Sequence, residues 1–381
     1  MTSPLEKQQD GSTLLRKLLD RPSEFTATDA GSTTSAIMDP SRGLSSAQAG
    51  AFLAALKLTG KDRDAAVIAE VAKAMRAAAR PVSFSDSNPK PTLVDIVGTG
   101  GDGQDTFNVS TASAIVAAGA GCHVAKVLKD VFLSTYVSNI VEQHGNRSSS
   151  SQCGSADVLE ALGAQLNNVT PEKVPAIIEQ SNFCFLFAQL YHPSMKSLAV
   201  PRKELGVKTI FNILGPLTNP AFPQRMIVGV FSKEIGPIMA EALRLSGVQR
   251  AWIVHGGIGL DEIAPTGETY VWSLENDTIT SKTIHPTRDF GIAEHPLDDV
   301  RGGDGAYNSG TMKSLLNNEF DLGHPILDFV LLNSGALLHV AGKAKDLKEG
   351  VELARESIRS GRAQEALDKF IAASKKRDRV D

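Results

Sequence analysis

The run Asp95-Ile96-Val97-Gly98-Thr99-Gly100-Gly101-Asp102-Gly103, followed by Thr106-Phe107-Asn108-Val109-Ser110-Thr111, constrains the fold more than any other segment. A short apolar run enters a glycine turn, and the turn enters a helix predicted to start near Ser110. Strand, turn and helix in that order begin a βαβ unit, which implies a parallel sheet covered by helices. Free backbone N–H groups and the positive end of the helix dipole converge at such a turn, which suits phosphate. Glycine permits positive φ and lets a ligand approach the main chain closely. A purely structural turn is the bland reading; Asn108, Ser110 and Thr111 beside it favour a phosphate or pyrophosphate cradle. No Gly-Lys-Ser/Thr follows, so a Walker A loop is excluded. A dinucleotide fingerprint is excluded too, because no acidic residue ends a second strand about twenty positions on.

The remaining pattern agrees with an α/β fold. From Leu93, β-branched runs alternate with small-residue helices, and strands are predicted at 93–97, 123–126, 226–230, 251–255 and 269–273. Thr170-Pro171 starts a helix over 171–180, and two amphipathic helices close the chain at 344–359 and 362–374. The first ninety residues read as helices: Leu14, Leu15, Leu18 and Leu19 recur at helical spacing, and Ser45-Ser46-Ala47-Gln48 is a capping box before Phe52, Leu53 and Leu56. Val67, Val71 and Met75 mark another helix, whereas residues 21–42 read as an extended surface loop. The expected fold class is α/β: a mainly parallel sheet domain with helices on its faces, plus a small all-helical domain.

Composition narrows the function classes. The formal net charge of -4 argues against a nucleic-acid surface, although 39 Lys and Arg leave room for a local basic patch. Three cysteines without CxxC spacing favour a reducing compartment over a disulfide framework. The polar first residues lack a signal-peptide core and no run approaches a membrane span, so a cytoplasmic location is expected.

Two further constellations carry chemistry. His144-Gly145-Asn146-Arg147 and the hydroxyl run Ser148, Ser149, Ser150 and Ser151 precede a helix opened by Gly154-Ser155. They form either an anion site or a flexible serine-rich linker. Asp261-Glu262 follows a predicted strand and a Gly-Gly-Ile-Gly turn; paired carboxylates there suit Mg2+, while solvated surface acids are the alternative. Phe211–Pro220 reads as architecture. His192, His255 and His285 lack zinc spacing, and Cys153 has no assignable basic partner.

Taken together, GTGGDG (98–103), TFNVSTASAI (106–115), HGNR (144–147), GSADVLEALG (154–163), HPSMK (192–196), RKELGVKTIFNILGPLTNP (202–220) and LDE (260–262) resemble anthranilate phosphoribosyltransferases. The resemblance runs in order over nearly everything beyond residue 44. It implies a helical domain from 1–88 and 168–196, an α/β domain from 89–167 and 197–381, and pairing into a homodimer through the helical domain. It implies that Gly98, Gly101, Asp102, Thr106, Asn108, Ser110, Thr111, Lys126, Arg147, Ser148, Ser149, Ser150, Ser151 and Ser155 hold phosphoribosyl pyrophosphate. Gly98, His144, Asn146 and Arg202 would receive anthranilate, and Ser110, Asp261 and Glu262 would serve Mg2+. No acid–base residue is implied. A pyrimidine nucleoside phosphorylase-like enzyme is the nearest rival, and a nucleic-acid-binding paralogue is the non-enzyme alternative.

One departure stands out. In the family, Val-Ala-Lys runs directly into His-Gly-Asn-Arg, whereas here Lys126 and His144 are separated by VLKDVFLSTYVSNIVEQ, residues 127–143. Strand-to-helix loops in such folds usually run about 2–6 residues, and Val127, Leu128, Val131, Phe132 and Leu133 have no obvious core to join. The segment begins with valine, whose codons start GT, and ends with glutamine, which CAG encodes. Its length preserves the reading frame. These features fit a translated, unspliced intron; a lineage-specific insertion is the competing reading.

Overall fold

Helix caps set the first layer. The computed structural model describes residues 10–39, 41, 44–84, 90–127 and 153–376. The expectations for His144, Asn146, Arg147 and Ser148 to Ser151 lie outside the described residues. Four helices lead: α1 (Gly11–Asp20), α2 (Ala27–Met38), α3 (Ser46–Leu58) and α4 (Ala65–Ala77). Ser45 and Gln48 form the expected capping box on α3, and Asp64 accepts from Ala66 and Val67 N–H to start α4. Their apolar stripes, Leu14, Leu15 and Leu18, then Phe52, Leu53 and Leu56, then Val67, Val71 and Met75, are buried.

Residues 21–42 are not a surface loop. Most of that stretch is α2, opened by a Thr26–Asp29 capping box and packed against α4. Its small polar residues hide the helical period. Thr33 and Thr34 are buried because their hydroxyls donate to the Asp29 and Ala30 carbonyls one turn back, both at 2.8 Å.

The sheet domain follows as β1 (Leu93–Gly98), α5 (Val109–Gly119), β2 (His123–Val127), α6 (Ser155–Ala161), α7 (Val174–Ser181), β3 (Phe183–Leu186), α8 (Ala188–Tyr191) and α9 (Lys196–Leu205). It continues with β4 (Arg225–Gly229), α10 (Ile235–Leu245), β5 (Arg250–Gly256), β6 (Thr269–Glu275) and β7 (Thr278–Ile284). It closes with α11 (Gly305–Leu316), α12 (Pro325–Val340), α13 (Leu347–Arg359) and α14 (Arg362–Ser374). Strand order is β3-β2-β1-β4-β5-β6-β7, parallel through β5 and antiparallel beyond it. From β1 the chain steps outward through β2 to β3, then returns to the other side of β1 at β4. The direction of winding therefore reverses at β1, and ligands of open parallel sheets bind outside the carboxyl ends of the strands at such a point.

Two segment expectations need correction. The stretch 168–196 does not go wholly with the helical layer, because β3 pairs in register with β2 and α7 packs on both strands. Burial decides this: Phe183, Cys184, Phe185 and Leu186 are all fully buried, as an edge strand covered by a helix requires. Val127 is also not without a core. It ends β2, pairs with Leu186 and is fully buried.

Helix α5 is the axis of the sheet domain; Val109 through Ala118 are all buried, under α12, α13 and α14. Contacts there are close enough to need glycine. A Cβ on Gly350 would fall 2.2 Å from Gly335 O, so α13 meets α12 backbone to backbone. Among the described residues no helix is long and apolar enough to cross a membrane.

Gly350→Ala is expected to lower stability by about 1–3 kcal/mol through overpacking, read as a lower urea midpoint; an unchanged midpoint would refute the close contact. His192, at the end of α8, is buried, and burial pushes its imidazole down to about 4. A depressed pKa means that its stabilising contribution is complete above about 6.5 and lost as pH falls towards 4, roughly 3 kcal/mol in all. His192→Gln should accordingly flatten the fall in unfolding free energy between pH 7 and pH 4.5. A variant with the same pH slope as the parent would count against this assignment.

Candidate active site

Glycines at the ends of β1 and β4 make room for one carboxylate. A Cβ on Gly98 would lie 2.3 Å from Asp261 Oδ2, and one on Gly229 would lie 1.6 Å from Asp261 O. Into that space the loop after β5 inserts Asp261, which is fully buried with Glu262 beside it. Asp261 Oδ2 accepts the Gly100 N–H at 2.8 Å, and Asp261 N–H donates to Asp102 Oδ2 at 3.3 Å. The turn is also tied to the sheet: Thr99 N–H donates to Gly229 O at 2.8 Å, and Phe231 N–H donates to Thr99 Oγ1 at 3.3 Å. Gly100, Gly101 and Gly103 all have φ between 74° and 82°, so the turn needs glycine there.

Thus Asp261, about 160 positions away in sequence, is brought against the turn that carries Gly98, Gly101 and Asp102. Thr106 and Phe107 complete the loop by pairing with Arg301 and Val300.

At the amino end of α5, Asn108 does not cap the helix. Its amide donates to Cys153 O at 3.1 Å and accepts from Asn308 at 3.0 Å, so it joins α5 to the start of α6 and to α11. Thr111 donates to Ser155 across the same junction, hydroxyl to hydroxyl at 2.7 Å. Lys126, buried at the end of β2, donates to Ile96 O at 2.6 Å and to Ser110 Oγ at 3.3 Å. Asp95 lies near it beneath the turn. Burial raises the Asp95 carboxyl to about 6, against the opposing pull of Lys126 and of the Asn219 amide. Asn219 donates both to Asp95 Oδ2 and to Ala125 O at 2.8 Å, bridging β1 and β2. The Phe211–Pro220 run thereby has the architectural role expected of it.

Arg202 on α9 is buried, with its guanidinium 5.5 Å from the Phe211 ring centroid. The carboxylates of Asp261 and Glu262 offer only oxygen, which fits a hard cation such as Mg2+.

Two participants escaped the sequence reading. Asn308 had no local signal, and Lys208 lies inside the 202–220 run with nothing to single it out. Lys208 in fact donates to Gly101 O at 2.8 Å.

Residues 12–79 match the glycosyl transferase family helical bundle domain, and residues 90–129 and 133–364 match the glycosyl transferase family a/b domain. The anthranilate phosphoribosyltransferase of Schizosaccharomyces pombe is 43% identical over 323 residues, covering 85% of this chain and 86% of that protein. This chain belongs to the anthranilate phosphoribosyltransferase family. The Aquifex aeolicus relative is 41% identical over 364 residues, covering 95% of this chain and 99% of its own length. Among solved structures, anthranilate phosphoribosyltransferase from Saccharomyces cerevisiae in complex with PRPP and Mg superposes with a TM-score of 0.83 at 33% identity, covering 96% of this chain and 97% of that one. The family fold thus accounts for the bundle-plus-sheet division.

Because Asn219 holds β1 to β2 beneath the turn, Asn219→Ala should cost about 1–3 kcal/mol of stability by leaving buried acceptors unsatisfied. Chemical denaturation reads this directly, and a change below about 0.5 kcal/mol would contradict the bridging role.

Proposed function

We infer that this chain transfers the 5-phosphoribosyl group from phosphoribosyl pyrophosphate to the amine of anthranilate, giving N-(5-phosphoribosyl)anthranilate and pyrophosphate in tryptophan biosynthesis. The observation that carries this reading is the glycine turn fastened to buried Asp261 at the winding reversal of the sheet. Two solved structures of one relative support it: the Saccharomyces cerevisiae enzyme in complex with PRPP and Mg, and the same enzyme in complex with 4-fluoroanthranilate.

In the reaction, the C1–O bond of ribose breaks and its electron pair leaves with pyrophosphate. The amine lone pair forms the C1–N bond, and the proton it sheds passes to solvent. An aromatic amine is neutral at pH 7, so no strong general base is required. Turn residues Gly98, Gly101, Asp102 and Thr106, and Ser110, Thr111 and Ser155 at two helix starts, seat the donor, with Lys126 fixing Ser110. Arg147 and Ser148 to Ser151 join this set on sequence grounds. Gly98, His144, Asn146 and Arg202 receive anthranilate, with Arg202 answering its carboxylate. Asp261, Glu262 and the Ser110 hydroxyl would hold Mg2+, which would supply charge neutralisation for the leaving pyrophosphate. Alignment of two substrates and fixed main-chain donors are the protein's share of the rate. The protein is assigned to the cytoplasm as a homodimer joined through its helical domain.

Residues 127–143 stand between Lys126 and His144, and we assign them to a retained intron. Incubation with anthranilate, phosphoribosyl pyrophosphate and Mg2+ should quench anthranilate fluorescence. The form lacking 127–143 is expected to turn over at least about tenfold faster than the full chain, given how steeply rates fall with misplaced groups. Equal rates would overturn the intron reading, and no quenching by either form would overturn the activity.

A further inference from the structure

We propose that Lys208 is a positioning residue: by holding the Gly101 carbonyl it sets the direction of the Asp102 N–H in the phosphate-binding turn. This inference rests on the function proposed above. Lys208 lies two residues past Gly206, the left-handed cap of α9, and α9 packs on α3 and α2 of the helical bundle. Its ammonium donates to Gly101 O at 2.8 Å and stands 4.0 Å from the centroid of Phe231. Phe231 N–H in turn bonds Thr99 Oγ1, so the ring that supports the lysine belongs to the segment that holds the turn.

The physics is that of a peptide plane. In a trans peptide the C=O and the following N–H point in opposite directions. Fixing Gly101 O therefore fixes the Asp102 N–H. Gly101, at φ 82°, has no Cβ to oppose rotation of that plane, so the orientation has to be supplied from outside. Gly100 N–H is fixed by Asp261 on one side of the plane, and Lys208 fixes the carbonyl on the other. A Cβ on Gly101 would also come within 3.1 Å of Lys208 Nζ, so both residues depend on the same small space.

The geometry has a second consequence. Lys208 follows α9, which packs on α3 and α2 of the bundle, whereas Asp261 comes from the loop after β5, so the turn is held from two sides.

Two full-length variants test this. Lys208 is exposed, so neither Lys208→Met nor Lys208→Arg should shift the urea midpoint. Crystal structures are expected to show the Gly101–Asp102 peptide turned over, or in two orientations, in Lys208→Met, and held as in the parent in Lys208→Arg. By calorimetry with phosphoribosyl pyrophosphate and Mg2+, Lys208→Met should bind the donor about tenfold more weakly, the loss expected when one hydrogen bond to a charged group goes. Lys208→Arg should stay within about threefold of the parent. In turnover, Lys208→Met should raise KM for the donor while kcat for saturating substrates changes less. An unaltered peptide in Lys208→Met would overturn the proposal whatever the affinities are. A parent protein that takes up no donor would instead overturn the functional reading, and the crystallographic comparison would still decide the role of Lys208.

Discussion

A buried carboxylate against a backbone N–H is what the rest of the site depends on. Asp261 is fully buried, and a buried charge is costly unless hydrogen bonds compensate it. Gly100 N–H supplies one such bond, and the absence of side chains at Gly98 and Gly229 lets the loop come close enough to receive it. Removing the space at either glycine would push the acid out and release the turn. The same contact places the Asp261-Glu262 pair beside the glycine turn.

The sheet is arranged to keep that contact in place. β1 and β4 are parallel neighbours in register from Val94–Arg225 to Gly98–Gly229, so both critical glycines lie at the same height. α5 leaves the turn and is buried along its length beneath three carboxy-terminal helices, which prevents the helix start from drifting. Below the turn, Asn219 donates to Asp95 Oδ2 and to Ala125 O, and Lys126 donates to Ile96 O. Polar groups in this core are tolerable because they bond one another.

Much of this was legible in the amino-acid order. The glycine turn after a β-branched run, the capping box at Ser45 and the acidic pair after a strand are local signals, and each has a local physical cause. Helix α2 was not legible, because Thr33 and Thr34 are buried in it by bonding carbonyls of their own turn, and a hydrophobic count scores them as surface residues. β3 was missed because four residues between two helices leave no room for alternation. The parts of Asn108, Asn308 and Lys208 were illegible for a different reason. An amide that bridges three helices, or a lysine that grips a carbonyl 107 positions away, is defined by topology alone. Residues 127–143 are the reverse case: a departure visible in sequence, whose first member, Val127, proves to finish a strand.

The most direct measurement is a crystal structure of the form without residues 127–143, grown with phosphoribosyl pyrophosphate and Mg2+. The diphosphate oxygens should lie within about 3.2 Å of main-chain N–H groups of residues 101–103 and the first turn of α5, with Gly100 still bonded to Asp261. A donor seated away from this turn, or a turn rebuilt so that Gly100 leaves Asp261, would contradict the central claim.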